Sequence, residues 1–509
     1  MRLAPVPSRW RPSSIHYGPG PITEIVVVLV AAFFVYLVTM LGGSLVLGVA
    51  ALVAALGLAI WRWPLIGMTA MVVLGPPHQF LMVLVLHFTG SAVVLKFVEL
   101  WKEMIILLLL AKVIDLAFRR HRSPSFFLID LGILMFFAYC AFYLLYPSDV
   151  EGTTLSSELL GLRADTFFMV PYFIGRGASL TPRQTRFLLI AFGSISLVIG
   201  VVAGLEFVAP GATNVILNSL GYQQFIDLKV GVLEASNAVR SNDYSGFLIP
   251  RASSLVLSDL ALGFFTLLAG PLAAGMLLHV SRLRDKVVTN ILLLAVIGTA
   301  VLTVTRSAMI ALVPSLGAIM LRTRGLIYIA LIILESLMVI LPIAYFLRIT
   351  PAVLSQLFST NGASVQGHLS SVLNSLAIIR EYPLGRGLGT AGQVGQVTGL
   401  QGAITNEDWY LQLATEVGVP GAVIFALIVI GFGIVAFRQY GRVRDPWVRT
   451  LCLGMGGATI GFGLVGLSLH VWEAETISMV FWLFAGMVVR AQSIESEGPG
   501  GGDAHRGVA

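Results

Sequence analysis

The chain alternates between long apolar runs and shorter polar stretches along almost its whole length. Runs of about 20 apolar residues match the thickness of a bilayer, and they are continuous rather than alternating with period two, which disfavours strands. The pattern predicts an all-α polytopic integral membrane protein with about 12 to 14 transmembrane helices. The predicted spans are 22–42, 44–61, 64–88, 91–117, 127–146, 165–176, 187–208, 258–279, 287–305, 308–321, 325–346, 417–437, 449–469 and 476–490.

Three polar regions interrupt this pattern, at residues 147–164, 209–257 and 347–416. The last is the longest, and loops of more than roughly 15 residues are usually functional or disordered. Within it, Ser364–Tyr382 is predicted to form a helix with one apolar face, ended by Pro383. The Gly-rich stretch that follows is typical of a flexible hinge or lid, and it lacks the Lys-Ser/Thr pair of a nucleotide P-loop.

Basic residues collect on alternate loops, and the positive-inside rule places those loops in the cytoplasm. Both termini are then cytoplasmic, with no cleavable signal peptide at the start, and 209–257 is a periplasmic loop. The expected organisation is a cytoplasmic segment at 1–21, a transmembrane domain at 22–346, a large periplasmic catalytic loop at 347–416, C-terminal transmembrane helices at 417–490, and a disordered cytoplasmic tail at 491–509.

Composition supports the membrane assignment. Of the 509 residues, 57% are hydrophobic and only 11% are charged, against roughly 25% charged in soluble domains. The net charge of +6 follows from the cytoplasmic loops and gives no reason to expect nucleic acid as a partner. Cys140 and Cys452 both lie in apolar runs, so cysteine offers neither a disulfide for the loops nor a metal site.

Arginine is disfavoured on the periplasmic side, so each arginine there needs a reason. Several such residues together would form a site for pyrophosphate, because the planar guanidinium makes paired charge-assisted hydrogen bonds to phosphate oxygens. The alternative is a structural ion pair with a nearby carboxylate. The candidates for pyrophosphate binding are Arg163, Arg251, Arg306, Arg380 and Arg386.

Two adjacent carboxylates, Glu407 and Asp408, precede Trp409 and Tyr410 at the start of a predicted span. A carboxylate here can serve as general base toward a sugar hydroxyl, with the aromatic rings stacking on the glycan. The alternative is that an acidic residue caps the helix. His368, which borders the apolar face of the preceding helix, is a further catalytic candidate, and its alternative is a solvated or packing histidine.

The fourth predicted span is unusual because charged residues lie at its outer end. Lys96, Glu99 and Glu103 fall on one helix face beside Lys102. Charges inside a membrane normally face protein or an aqueous cavity. Either a groove open to lipid or a self-neutralised interfacial helix explains them.

Four stretches together resemble a known family. EYPLGRGLGTAG and, further on, NEDWYLQLATEVGVPGAVIFALIVIG resemble the closing motif of the O-antigen ligase and Wzy polymerase superfamily, which runs to Glu-x-Gly-x-x-Gly. TRSAMIALVPSLG and IPRASSLVLSDLALG resemble that family's arginine-containing segments, and they include Arg306 and Arg251. The resemblance covers residues 160 to 490.

The resemblance implies a GT-C-type glycosyltransferase of the bacterial inner membrane that needs no metal or nucleotide-sugar cofactor. Its donor is an undecaprenyl-pyrophosphate-linked oligosaccharide used at the periplasmic face, and membrane lipid, a chain-length regulator and export proteins are the other implied partners. Glu407 stands where the ligases carry their proposed base, a histidine, and His368 stands where they usually carry an arginine. Carboxylates at this motif resemble exopolysaccharide polymerases.

The expected function is therefore metal-independent polymerisation of lipid-linked repeat units into exopolysaccharide or O-antigen, with a carboxylate base. Transfer of the glycan to lipid A core, as in a ligase, is the first alternative. A lipid-linked oligosaccharide flippase is the second, but transporters concentrate charge at the midplane and usually contain repeated halves.

Overall fold

The fold is described from a computed structural model. It describes residues 44–120, 127–145, 148, 150–228, 240–244, 247–323, 337, 363–400, 404 and 406–496. In this part of the chain the protein is mostly helical, which confirms the predicted fold class.

The helices of the first half are α1 (Ser44–Arg62), α2 (Pro64–Leu74), α3 (His78–Thr89), α4 (Ala92–Glu99), α5 (Trp101–Arg120), α6 (Leu128–Phe142), α7 (Leu155–Thr166), α8 (Pro171–Gly177), α9 (Pro182–Val208), α10 (Pro210–Ser219) and α11 (Tyr222–Leu228). After the strands β1 (Arg240–Tyr244) and β2 (Phe247–Arg251) come α12 (Asp259–His279), α13 (Leu283–Leu302), α14 (Arg306–Thr323), α15 (Ala363–Glu381), α16 (Gly392–Val397), α17 (Trp409–Glu416), α18 (Gly418–Tyr440), α19 (Pro446–Val465), α20 (Glu475–Val489) and α21 (Ala491–Ser496). Three short 3-10 turns are Phe167–Met169, Ser254–Val256 and Val471–Glu473.

Five helices, α9, α12, α13, α18 and α19, are long and apolar enough to cross a membrane. A sixth candidate is the pair formed by Val53–Arg62 and α2, which are bent by 115°. The helices α3, α6 and α20 are apolar but shorter. The structure is thus compatible with membrane insertion. The predicted spans 22–42 and 325–346 lie outside the described residues, apart from Leu337.

Three predicted spans are wrong as continuous helices. The span 64–88 is split between α2 and α3, because Pro76 and Pro77 restrict the backbone and Pro77 has no N–H to donate. The span 91–117 breaks at Leu100, between α4 and α5. The span 165–176 comprises the end of α7, a 3-10 turn and α8.

The region 209–257 contains a small hairpin, although the continuous apolar runs disfavoured strands. Strands β1 and β2 pair in antiparallel register, with Arg240 opposite Arg251 and Tyr244 opposite Phe247. The continuous apolar runs disfavour strands that cross the membrane, but they say nothing about a short polar hairpin between helices. Ala252, directly after β2, donates its N–H to Leu302 O at the end of α13 (2.9 Å), which ties the hairpin to the bundle.

The core of the bundle forms around α12, most of whose side chains are buried. Beside it, an aromatic cluster joins α17, α18, α19 and α20. In this cluster Trp472 contacts Phe462 and Phe481, with ring centroids 5.1 Å apart in both pairs. Burial of such rings contributes strongly to packing because each removes a large apolar surface from water.

At one end of the bundle, α12 ends beside the start of α19, where His279 Nδ1 lies 3.3 Å from Thr450 Oγ1. Arg186 and Arg282 line a cavity at this position, and the Arg186 guanidinium stacks over the Trp447 ring at 5.1 Å. We call this the basic end.

At the opposite end, α12 begins and α19 ends. There the Phe264 and His470 rings meet with centroids 6.4 Å apart, and Gln412 of α17 donates a 2.6 Å hydrogen bond to Glu473. We call this the site end. Arg186 and Arg282 belong to predicted loops that the charge pattern assigns to the cytoplasm, and both lie at the basic end. The orientation of the two ends in a membrane stays a prediction.

The predicted disordered tail begins with a short helix. Ala491 and Ile494 of α21 are buried, and the Glu495 carboxylate accepts the backbone N–H groups of Arg444 and Asp445 at 2.6 and 2.7 Å. Residues 497–509 lie outside the described residues.

Candidate functional site

The Gly-rich stretch after α15 is packed against the closing motif, which contradicts the expected hinge or lid. Arg386 N–H donates to Thr415 O (2.8 Å), and Gly387 N–H donates to Glu416 O (3.0 Å). Gly389 has a φ of 71°, and a Cβ there would lie 2.5 Å from Ser157 O, so only glycine fits against α7 without strain. The glycines therefore allow close backbone approach here rather than motion.

Glu416, the acidic residue of the Glu-x-Gly-x-x-Gly pattern, is fully enclosed. Its Oε1 accepts the Ala391 N–H (2.9 Å), and its side chain shares a hydrogen bond with Asp165 of α7. Burial raises the pKa of the Glu416 carboxyl well above its ordinary value, and the Asp165 charge raises it further. This buried pair of carboxyl groups lies between α7 and α17.

Asp408 is the N-cap of α17. Its Oδ1 accepts the N–H groups of Tyr410 (3.0 Å) and Leu411 (3.1 Å), which are free donors of the first helical turn. Burial raises the pKa of the Asp408 carboxyl, while these two hydrogen bonds act in the opposite direction. Asp408 is therefore a helix cap, which is the alternative that the sequence left open. No catalytic role is needed to explain the presence of this carboxylate.

Trp409 is completely buried, which corrects its predicted role in glycan stacking. Its ring contacts Phe168 and Phe425, and its backbone N–H donates to Gly466 O (3.1 Å). A ring with no accessible face cannot stack on a sugar. Tyr410 is half-buried against Gly466, and burial raises the pKa of its phenol to about 12.

Glu407 differs from its neighbour because its side chain remains 46% exposed. It pairs with Nδ1 of His368 on α15, whose side chain is 38% exposed. The hydrogen bond from His368 lowers the pKa of the Glu407 carboxyl, although partial burial opposes this. Two residues that the sequence nominated separately as catalytic therefore form one pair at the site end, accessible to solvent.

The sequence reasoning missed His470. The segment carrying it is held against α17 on both sides, by the Trp409 N–H to Gly466 O and by Gln412 to Glu473. The charge of His470 also acts on Glu407 and lowers its pKa. The only available signal was a polar residue between two apolar runs, which is common at the end of any span.

Arg251 is engaged in the structural pairing that the sequence left as an alternative. Its Nε lies 2.7 Å from Asp259 Oδ2 and donates to Thr303 O (3.0 Å), while Nη2 donates to Thr305 Oγ1 (3.2 Å). It joins β2 to the beginnings of α12 and α14. Arg306 directly follows Thr305 in the chain. It is the first residue of α14 and is half-buried.

The backbone around these arginines is strained. Val304 has φ 53° and Leu257 has φ 58°, the left-handed region that branched and bulky side chains rarely adopt. The Glu206 carboxylate holds the neighbouring segment by accepting from Ser253 N–H, Ser253 Oγ and Ser254 N–H at 3.0, 2.8 and 2.5 Å. Strain retained in this way is frequent at binding sites, because surrounding contacts stabilise a geometry that the local chain disfavours.

Arg163 lies in an ion network with α5 and α20. It pairs with Glu103 and with Glu475 (2.8 Å), and Lys102 lies 2.5 Å from the same Glu475 carboxylate. The two cations and two anions balance. Because α4 ends at Glu99, Lys102 and Glu103 belong to a different helix from Lys96, and the predicted single charged face does not form.

Of the other two arginines, Arg380 lies away from the His368–Glu407 pair and Arg386 contacts an aromatic ring. Arg380 is exposed in the last turn of α15, about 18 Å along the helix axis from His368 at 1.5 Å per residue. The Arg386 guanidinium stacks over the Tyr382 ring at 5.4 Å. The structure therefore does not group all five predicted arginines around one centre.

A path of contacts connects Arg251 to the His368–Glu407 pair. Arg251 pairs with Asp259 at the start of α12, and Phe264, five residues later, contacts His470. Five residues correspond to a helical rise of about 7.5 Å. The arginine junction and the histidine–carboxylate pair are thus neighbouring parts of the site end.

No family model matches the chain, and no curated protein matches it.

Proposed function

We propose that the chain is a membrane glycosyltransferase that polymerises lipid-pyrophosphate-linked repeat units. The observation that carries this proposal is the solvent-accessible His368–Glu407 pair at the end of the bundle that also bears Arg251 and Arg306. A proton acceptor next to a cationic junction is the combination needed to transfer a sugar from a phosphate leaving group to a hydroxyl.

The pairing changes the assignment of the base. Glu407 bonds to Nδ1 of His368, and in that tautomer Nε2 of the imidazole is the available acceptor. A carboxylate in this position holds the ring and stabilises the imidazolium that forms. The lowered pKa of Glu407 also makes it a weaker base. We therefore assign proton acceptance to His368 and orientation to Glu407.

Arg306 supports the leaving-group side of the reaction. A positive side chain in the first turn of a helix opposes the helix dipole at a cost of about 0.3–1 kcal/mol, whereas an anion bound there gains from both the dipole and the guanidinium. Arg306 occupies this position on α14, beside the strained Val304. The pyrophosphate is proposed to bind here, with Arg251 fixing the junction.

In the proposed step, the acceptor hydroxyl oxygen forms a bond to the anomeric carbon of the donor. The bond from that carbon to the phosphate oxygen breaks, and the pyrophosphate leaves with the electron pair. The hydroxyl proton passes to Nε2 of His368. Direct attack of this kind inverts the configuration at the anomeric carbon.

The periplasmic face of a bacterial inner membrane is the proposed place of this reaction. The acceptor in the polymerase proposal is a second lipid-linked repeat unit. The ligase alternative uses the same chemistry with lipid A core as acceptor, and the residues at the site do not discriminate between them. The flippase alternative has less support, because the candidate site residues His368, Glu407 and Arg251 lie at one end of the bundle rather than at a midplane site.

The decisive experiment mixes purified protein in lipid nanodiscs with lipid-linked repeat units. A ladder of polymer lengths is expected with repeat units alone. Transfer only when lipid A core is supplied would support the ligase, and no transfer with either acceptor would refute the glycosyltransferase. His368→Gln should abolish the ladder, whereas Arg380→Gln, in the same helix but remote, is the matched control and should retain it.

A further inference from the structure

We infer that His470 is a third functional residue of this site, and that it hydrogen-bonds the donor phosphate next to the reacting sugar. The inference rests on the proposed function and adds a donor-binding residue to it. His368 would accept the proton on one side of Glu407, and His470 would hold the leaving group on the other side of the reacting carbon.

His470 is half-buried at the site end, where its ring meets Phe264 nearly edge-on, with an angle of 85° between the ring planes. Phe264 lies about 7.5 Å along α12 from Asp259, the partner of Arg251. The imidazole thus belongs to the same end of the bundle as the arginine junction, and its charge acts on Glu407. The donor phosphate is proposed to bind at this end.

The backbone around His470 is fixed by hydrogen bonds. Gly466 O accepts from Trp409, and Glu473 accepts from Gln412, so the segment is bonded to α17 both before and after the histidine. The 3-10 turn Val471–Glu473 follows immediately, and its Glu473 N–H donates to His470 O (3.0 Å). A binding residue needs such support, because a small displacement greatly weakens a directed hydrogen bond.

The ring nitrogens of His470 are available for a hydrogen bond to a ligand. Neither of its nitrogens makes a hydrogen bond to another residue in the part of the chain that the structure describes. A histidine that only filled space beside Phe264 would be replaceable by an apolar ring. A histidine beside an exposed carboxylate, with its ring nitrogens available, is suited to donate a hydrogen bond to a phosphate oxygen.

The test uses the full chain in nanodiscs, with undecaprenyl pyrophosphate as the binding probe and polymer formation as the second readout. His470→Gln keeps a neutral donor, and His470→Phe keeps only the ring shape. We expect probe affinity to fall about 10-fold in the first and further in the second, and polymer formation to fall with it. His87→Gln, at an exposed position in the last turn of α3, is the matched control.

The outcomes separate the two proposals. Wild-type affinity for the probe in both His470 variants would overturn the inference. Wild-type protein that does not bind the probe would overturn it too. Binding of the probe that depends on His470, without polymer or transfer to lipid A core, would support this site while refuting the glycosyltransferase proposal.

Discussion

Glu407 and Asp408 are adjacent carboxylates to which the structure gives opposite roles, and substituting each separates them. Asp408 accepts two N–H donors of the first turn of α17, so Asp408→Ala should lower the free energy of unfolding by about 1 to 2 kcal/mol. Asp408→Asn keeps a capping oxygen, and its cost should be a few tenths of a kcal/mol. Neither change touches the His368 pair, so activity per folded molecule should remain near the wild-type value.

Glu407→Gln should behave in the opposite way. Its side chain is 46% exposed and caps nothing, so stability should change by less than about 0.5 kcal/mol. Without the carboxylate, however, the His368 ring loses its orienting partner and the support for its charged form. Polymer formation should fall about 100-fold, equivalent to about 2.7 kcal/mol in the barrier.

The assay measures both quantities on the same preparations. Thermal unfolding in nanodiscs reports stability, and polymer formed per folded protein reports activity. His368→Gln and the double variant with Glu407→Gln complete a cycle. If the two residues act as one unit, the double variant should be little worse than either single variant. Loss of activity in Asp408→Asn together with normal turnover in Glu407→Gln would refute the assignment.

Three further predictions concern the frame of the site. Because burial raises the pKa of Glu416 in the folded protein, the folded state binds the proton more tightly, and the free energy of unfolding should decrease as pH rises above the ordinary carboxyl value; Glu416→Gln should remove that slope in thermal unfolding. Gly418→Ala should destabilise by about 1–3 kcal/mol, since its φ is 76° and a Cβ would meet Leu384 at 2.6 Å, whereas Gly204→Ala, with open space, should not. In intact spheroplasts an impermeant thiol reagent should label Ser370→Cys but not Gly441→Cys, because Cys140 and Cys452 are buried and the positive-inside rule places Ser370 outside; the reverse labelling would invert the topology.

The sequence predicted the fold class because continuous apolar runs leave few alternatives to membrane helices. The sequence-based prediction failed where one residue type serves different structural purposes in different contexts. Pro76 and Pro77 divide a run that is apolar on both sides, and hydropathy alone does not register the loss of backbone freedom there. The glycines of 385–392 were read as flexible by composition, yet their function depends on a partner backbone that a single chain segment does not reveal.

For the site, local sequence context identified His368, Glu407 and Asp408 but could not rank them. Ranking required knowing that Asp408 bonds its own helix while Glu407 bonds a side chain on α15. Trp409 was misassigned because an aromatic residue beside a carboxylate is as common in a core as in a sugar site. His470 was missed because its importance depends on contacts with residues more than 50 positions earlier in the chain.

The backbone pairing of Ala391 with Ile404, reinforced by the Gly392 N–H to Ile404 O bond (3.0 Å), has an evolutionary consequence. The two ends of the intervening segment are already joined, so doubling its length costs only about 0.6 kcal/mol of closure entropy. Glu407 follows the closed end and stays in register with α17 whatever lies between. The segment is therefore a position where we expect related chains to diverge in length and sequence, and where a graft from another chain should leave the His368–Glu407 pair undisturbed.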